Sequence, residues 1–296
     1  MKSAFIKLHL SVLLAGVTGI FGRLITLNEG LLIFYRMLTT SIAFFIILNI
    51  LGWFRRLPFR DVRRIAALGF LLSIHWIFFY GSIKVSNVSV GVVCCSLTGF
   101  FTAIFEPIIL KRRFMIREIL FSCIALFGVL LIFHFDSRYR LGIIFGITSA
   151  MLFGLYTIAN KRLSTQYPLP LLFWYQMAGG LLILTVVLPV YLQFAPSTVY
   201  YPSGMNLVYL LIFAIFCTII MYMLQLSALR QISAFTVNLS YNIEPIYTIT
   251  LAAIIFNEME ELNASFFVGL GLIMLSVLLQ MLAVLRDKRK MAISGL

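Results

Sequence analysis

Charge is scarce in this chain. Only 11% of its 296 residues are Asp, Glu, Lys or Arg, and 62% are hydrophobic. A soluble domain carries roughly 25% charged residues and is closer to half apolar. No water-soluble fold of this size hides so much apolar surface, so much of it must face lipid. Acidic residues are scarcer still, 10 against 23 Lys and Arg, for a net charge of +13. The cations sit between apolar runs, with no basic face of interleaved aromatics. Nucleic acid is therefore not an expected partner, and the cations read as topology signals.

The rarer residue types exclude further classes. The four cysteines, Cys94, Cys95, Cys123 and Cys217, all lie inside apolar runs with no CxxC spacing. That argues against a disulfide framework or a zinc motif and for inert buried thiols. The three histidines, His9, His75 and His134, fall on different runs without an acidic partner at helical spacing. No metal, cofactor or catalytic cluster is expected, which makes a membrane-embedded enzyme the poorer reading. No charged filter ring of the kind a channel uses is visible. Lys2 and Lys7 precede an apolar run as in a signal peptide, but no small-x-small cleavage site follows, so this run is expected to be the first membrane helix.

What is abundant is apolar runs of about 20 residues, the length that crosses a bilayer as a helix. Ten are expected: 5–25, 31–52, 65–83, 88–110, 116–134, 142–160, 171–193, 207–229, 233–256 and 262–285. Alternating the loops between two sides puts 18 of the 23 cations on the side of the N-terminus. Arg23, Lys84, Arg138 and Arg140 fall on the other side, and Arg36 lies inside a run. The loop Asn257-Glu258-Met259-Glu260-Glu261, on the poorer side, is purely acidic. A missed or invented helix would blur this split. An even number of spans with both termini cytoplasmic is expected, and short loops fit a bacterial inner membrane.

The chain also resembles itself. Leu-Leu-Ile-Phe-Tyr-Arg-Met at 31–37 matches Leu-Leu-Phe-Trp-Tyr-Gln-Met at 171–177 in four of seven positions. Small residues recur every four positions at Ser11, Ala15 and Gly19, and again at Gly142, Gly146, Ala150 and Gly154, a spacing that lets helices approach closely in lipid. Gly81-Ser82-Ile83-Lys84 parallels Ser227-Ala228-Leu229-Arg230. The matches keep chain order, pairing the first five runs with the second five. A five-helix unit that begins inside ends outside, so its second copy is inverted. The expected fold is all-α and integral to the membrane, with ten transmembrane helices as two inverted repeats, residues 1–138 and 139–296. Inverted repeats place a substrate site near the midplane between the halves.

Several polar residues interrupt the runs. Glu244 lies near the middle of the ninth, where an ionised group is costly. Pro245 after it frees the carbonyl of Tyr241. Asn238, Tyr241, Asn242 and Pro245 share one helical face, and Ser240, Tyr241, Glu244, Tyr247 and Thr248 an adjoining one. This stripe reads either as a substrate or proton site or as a satisfied pair locking helices. Arg36, two turns into the second run, reads either as a binder of an anionic group or as a cation that snorkels or pairs with Glu244 or Glu29. Its repeat partner is Gln176. His75 is more readily a hydrogen-bonded core residue than a proton relay. Trp76 and Tyr80 either stack on a substrate or pack. Gln225, Asn160, Thr98 and Tyr156 are weaker candidates, and Glu106 beside Lys111, Arg112 and Arg113 reads as an interfacial salt bridge.

Five plus five spans, Tyr35-Arg36, the Ser227-Ala228-Leu229-Arg230 turn, the Glu244-Pro245 break and the terminal Asn257-Glu258 together resemble the drug/metabolite transporter superfamily, in particular its EamA-type members. The first half departs from that pattern, with Lys111-Arg112 where an acidic end is usual and Thr98-Gly99 aligned with Glu244-Pro245. The resemblance implies a secondary carrier, commonly an exporter of amino acids or other small metabolites. Any coupling ion is expected to be the proton, with the lipid bilayer and a small molecule as partners. A nucleotide-sugar or lipid-precursor carrier is the alternative, but phosphate favours several intramembrane cations and only Arg36 is present.

Overall fold

A computed structural model describes residues 2–133, 139–256 and 264–293. Helices are the regular elements among the described residues, with no strand among them. Helices occupy all ten predicted runs: α1 (Ser3–Leu24), α2 (Glu29–Ile50), α3 (Phe59–Val85), α4 (Val88–Leu110), α5 (Ile116–Phe133), α6 (Arg140–Ser164), α7 (Leu169–Phe194), α8 (Met205–Leu229), α9 (Ala234–Phe256) and α10 (Ala264–Ile293). Among the described residues, eight of these, all except α5 and α10, are long and apolar enough to cross a membrane; α10 contains a shorter apolar stretch, Phe267–Ala283. His134, Arg138 and the Asn257–Glu261 loop lie outside the described residues.

The ends differ from the sequence expectation where charge hides a helix. α3 starts at Phe59 rather than 65, and α10 runs on to Ile293 rather than stopping at 285. Hydropathy ends a run at Arg63-Arg64 or at Arg286, yet Arg and Lys are good helix formers. The tight connections are fixed by caps. Asn28, Asn87 and Ser233 each accept a hydrogen bond from the backbone N–H three residues on, at 3.0, 2.8 and 3.1 Å, and so open α2, α4 and α9. Lys111, with φ 51°, turns the chain left-handed and closes α4.

Four helices are irregular inside. α1 breaks after Ala15 and resumes at Thr18, and α4 breaks after Cys95 and resumes at Thr98. In α9 a tight turn at Tyr241–Ile243 separates Ala234–Ser240 from Glu244–Phe256. Pro245 sits at the second position of the new segment, where its missing N–H does least harm. α8 is wound loosely over Ile215–Ile220 as a π-helical turn, and the Thr218 hydroxyl donates to the carbonyl of Phe213 five residues back at 3.0 Å.

α3 packs against α6 and α7, α1 against α8, α2 against α7, α4 against α6 and α9, and α5 against α10. Small residues permit the closest crossings. A Cβ on Gly69 of α3 would fall inside the Gln176 backbone of α7, and one on Gly180 would lie 2.6 Å from the Gly69 carbonyl. Such backbone contact is how helices gain dispersion energy in lipid, where burial of apolar surface supplies no drive. The outside of the bundle is correspondingly apolar, with Leu182, Val186 and Ile254 at least 70% exposed.

Polar contacts tie the two ends of the bundle. At one end Lys84 donates to the carbonyls of Leu27 (2.5 Å) and Ile25 (3.3 Å), Asn28 to that of Ala195 (2.9 Å), and the Tyr191 hydroxyl to Glu29. At the other, Lys7 donates to Ser227 (2.9 Å) and Lys161 to the carbonyls of Leu229 and Ile232 (2.7 Å each). There Arg112 bridges Glu106 at 3.3 Å and Glu118 at 2.7 Å, and Glu106 also accepts from the Phe235 N–H at 3.0 Å. The salt bridge expected at Glu106 is present, and it doubles as a cap on α9. Burial opposes the charge of Arg112, but the Glu118 hydrogen bond and both carboxylates outweigh it and hold its pKa above the usual value.

Candidate substrate site at the centre of the bundle

A cavity of ≈ 50 Å³ lies where the irregular helices meet. It is lined by Ala15 and Thr18 of α1, Arg36 of α2, His75, Trp76, Phe79 and Tyr80 of α3, and Val92, Cys95 and Thr98 of α4. Phe153 of α6, Met221 and Tyr222 of α8, and Tyr241 and Glu244 of α9 complete it. Three of these helices are broken where they reach it, so the breaks shape its wall.

Glu244 opens the second segment of α9 and is 8% exposed. Among the described residues no hydrogen bond or ion pair reaches its carboxylate. A buried acid without a partner is expensive, so the cavity contains an unmet acceptor.

Arg36 is the opposite case. Its Nε donates to the Thr218 hydroxyl at 2.8 Å, Nη1 to the Tyr80 hydroxyl at 3.0 Å and Nη2 to the Cys217 carbonyl at 3.0 Å. Its guanidinium carbon lies 3.9 Å from the Trp76 ring centroid and 4.0 Å from that of Phe213. The π-helical turn of α8 is what presents Cys217 and Thr218 to it. Arg36 neither snorkels nor pairs with Glu244 or Glu29, the two expectations raised against a binding role. It is 1% exposed and bonded to neutral oxygens between two aromatic faces.

Of the eight residues singled out from the sequence, Arg36, His75, Trp76, Tyr80, Tyr241 and Glu244 converge on the cavity. His75 Nδ1 lies 3.0 Å from the carbonyl and 2.8 Å from the hydroxyl of Ser149, and its ring stacks on Phe153 at 4.6 Å. The Trp76 ring stands edge-on to Tyr222 at 5.6 Å, and the Tyr241 hydroxyl donates to Ser11 at 3.2 Å. Asn238 and Asn242 do not line the cavity. The Asn238 amide donates to Thr102 of α4 at 2.8 Å, and Asn242 is buried with no partner for either amide atom. Among the weaker candidates only Thr98 reaches the cavity; Tyr156, Gln176 and Asn160 form a separate chain through bonds of 2.9 and 2.6 Å. No group of His, Cys, Asp and Glu among the described residues could hold a metal ion.

Tyr222, Phe153 and two of the Arg36 anchors, Cys217 and Thr218, were not singled out from sequence as site residues. Aromatics in apolar runs look like packing, and nothing in Ile215-Phe216-Cys217-Thr218-Ile219-Ile220 marks it as a π-helical turn.

An all-helical bundle with an apolar exterior, broken helices and one buried acid in a central aromatic cavity has the form of a membrane transporter. The comparisons agree. The sequence model of the EamA-like transporter family matches residues 2–134 and again residues 140–282. An uncharacterized transporter of Clostridium kluyveri is 27% identical over 225 residues, covering 70% of this chain and 69% of that protein. A solved crystal structure superposes with a TM-score of 0.70 at 15% identity, covering 97% of this chain and 99% of the other, which speaks to fold alone. The chain belongs to the EamA-like transporter family.

Proposed function

We propose that this transporter is a secondary carrier that exports a small amine-bearing metabolite, of which amino acids are the type, by alternating access. The observation that carries this reading is the unpartnered Glu244 carboxylate in an aromatic-walled cavity. An ammonium group would supply the missing partner, and the rings of Tyr222 and Tyr241 in the same wall are of the kind that favours a cation. A proton is the other cation that satisfies a carboxylate there, which makes exchange of substrate for proton a natural cycle. Arg36, already bonded through three nitrogens, is a wall of the site. Its engagement weighs against phosphorylated substrates, which need free cations.

The ten helices are read as ten spans in two inverted halves, 1–138 and 139–296. Two consecutive matches to one family model support this. So does the packing: exchanging each helix for the one five places on turns α3–α6 into α8–α1 and α4–α6 into α9–α1, both present. The cavity is lined from both halves. About 50 Å³ holds only a few waters, so a metabolite binds only after the halves part. The sorting of Lys and Arg to the end that carries Arg112 supports cytoplasmic termini in a bacterial inner membrane.

The test is flux of a labelled amino-acid and amine panel in proteoliposomes, with and without a proton gradient. Saturable flux that falls at least about a hundredfold in Glu244→Gln is expected, as for loss of a charged contact worth about 3 kcal/mol. Normal flux in a folded Glu244→Gln variant would remove Glu244 from the site.

A further inference from the structure

A second concavity lies away from the central cavity, at the end that collects most of the Lys and Arg. It has a volume of ≈ 510 Å³ and is lined by Ile109, Leu110 and Lys111 at the end of α4 and by Lys161 and Arg162 at the end of α6. Ile109 and Leu110 are 49% and 36% exposed on the lipid-facing surface. Lys161 is held in place by the carbonyls of Leu229 and Ile232. The side chains of Lys111 and Arg162 are exposed and make no hydrogen bond or ion pair among the described residues. The acids nearest in the chain, Glu106 and Glu118, are both engaged by Arg112. Three cations thus line one hollow beside an apolar floor with no carboxylate in its lining; Glu106, bonded to Arg112, is near enough to act on Lys161 but leaves Lys111 and Arg162 unpaired.

We propose that this notch binds the headgroup of an anionic phospholipid, with the phosphodiester between Lys111 and Arg162 and an acyl chain along Ile109 and Leu110; Lys161, whose donors go to the carbonyls of Leu229, Arg230 and Ile232, adds charge from the wall without a hydrogen bond to the phosphate. A general excess of cations on one side of a membrane explains their sign. It does not explain their convergence on a hollow that is basic at one wall and apolar at the other. The guanidinium of Arg162 offers two parallel N–H donors to phosphate oxygens, and the lysines act as point charges. Basic hollows between transmembrane helices at the membrane surface take anionic headgroups by this chemistry. The lipid would join α4 to α6 across the two proposed halves. This inference is independent of the metabolite and of the role of Glu244.

The experiment is native mass spectrometry of the full chain in detergent, titrated with phosphatidylglycerol or with phosphatidylcholine of the same acyl chains. Preferential adducts with phosphatidylglycerol are expected. Lys111→Gln with Arg162→Gln should weaken them on the order of tenfold, and Arg162→Gln alone, on a regular helical position, by about threefold. Arg55→Gln with Arg56→Gln removes the same charge at the same end outside the notch and should leave binding unchanged. Equal binding of the two lipids, or an equal loss in the Arg55 and Arg56 variant, would overturn the proposal in favour of diffuse attraction. Displacement of the lipid by glycerol phosphate at equal concentration would overturn it in favour of a soluble anion.

Discussion

Two buried ionisable side chains, one basic and one acidic, sit in the same cavity, and the protein treats them differently. Arg36 is supplied with three acceptors and two aromatic faces, so its replacement should first affect folding. Arg36→Met leaves the Cys217 carbonyl and the Thr218 and Tyr80 hydroxyls without their donor. A loss on the order of 3 kcal/mol is expected, read as a lower melting temperature of the purified protein. Arg36→Lys should recover little, because one ammonium cannot reproduce the planar fork; full recovery would show that charge alone suffices. Glu244→Gln should instead leave melting unchanged or raise it, since an unpartnered buried carboxylate destabilises the fold. The sequence exposed both residues because ionisable groups stand out in an apolar run. It also divided α9 into two polar faces. The face with Tyr241 and Glu244 meets the cavity, while Asn238 turns to Thr102. Which face went where depends on helices far away in the chain, and no local pattern records that.

At the scale of helices, the existence of each was legible from run length and its ends were not, since charged residues continue a helix that hydropathy closes. The break in α9 was foreshadowed by Pro245, whereas those in α1 and α4 carry no proline. The π-helical turn of α8 was invisible. It amounts to one surplus residue, so deleting Phe216 should restore α-helical winding with Met221–Leu229 left facing the same way, since the six-residue π-helical turn and the shorter α-helical stretch sweep about the same angle. The change is local: Tyr222 stays at the cavity, while the Cys217 carbonyl and the Thr218 hydroxyl shift away from Arg36. The expected outcome is a protein that loses several degrees of thermal stability; an unchanged melting temperature would show that the turn does not hold Arg36. The α3–α7 crossing is a simpler test. Gly69→Leu forces a side chain into the Gln176 backbone, and overpacking of this kind costs about 1–3 kcal/mol or more. Monodisperse protein with an unchanged melting temperature would show that the helices are not as close as described.

Over the whole molecule, the proposed repeat rests on sequence matches that keep chain order, and two consecutive family matches support it. The membrane orientation proposed from Lys and Arg predicts that a C-terminal green fluorescent reporter glows in cells and a C-terminal alkaline phosphatase is inactive. The reverse pattern would break the ten-span reading. What sequence could not reveal is the small volume of the cavity, which follows from how side chains of seven helices fill one space.

The same packing places a chromophore at the site. The chain has three tryptophans. Trp53 is 54% exposed, Trp174 lies among Phe45, Phe54 and Tyr175, and Trp76 alone faces the cavity, with a guanidinium over its ring. Replacing Trp53 and Trp174 by Phe leaves an indole whose emission depends on the local field and on water in the cavity. Parting of the helices or arrival of a cation beside Glu244 alters both. The protein therefore contains its own optical probe of occupancy, readable in solution without a label and before any substrate has been shown to cross a membrane.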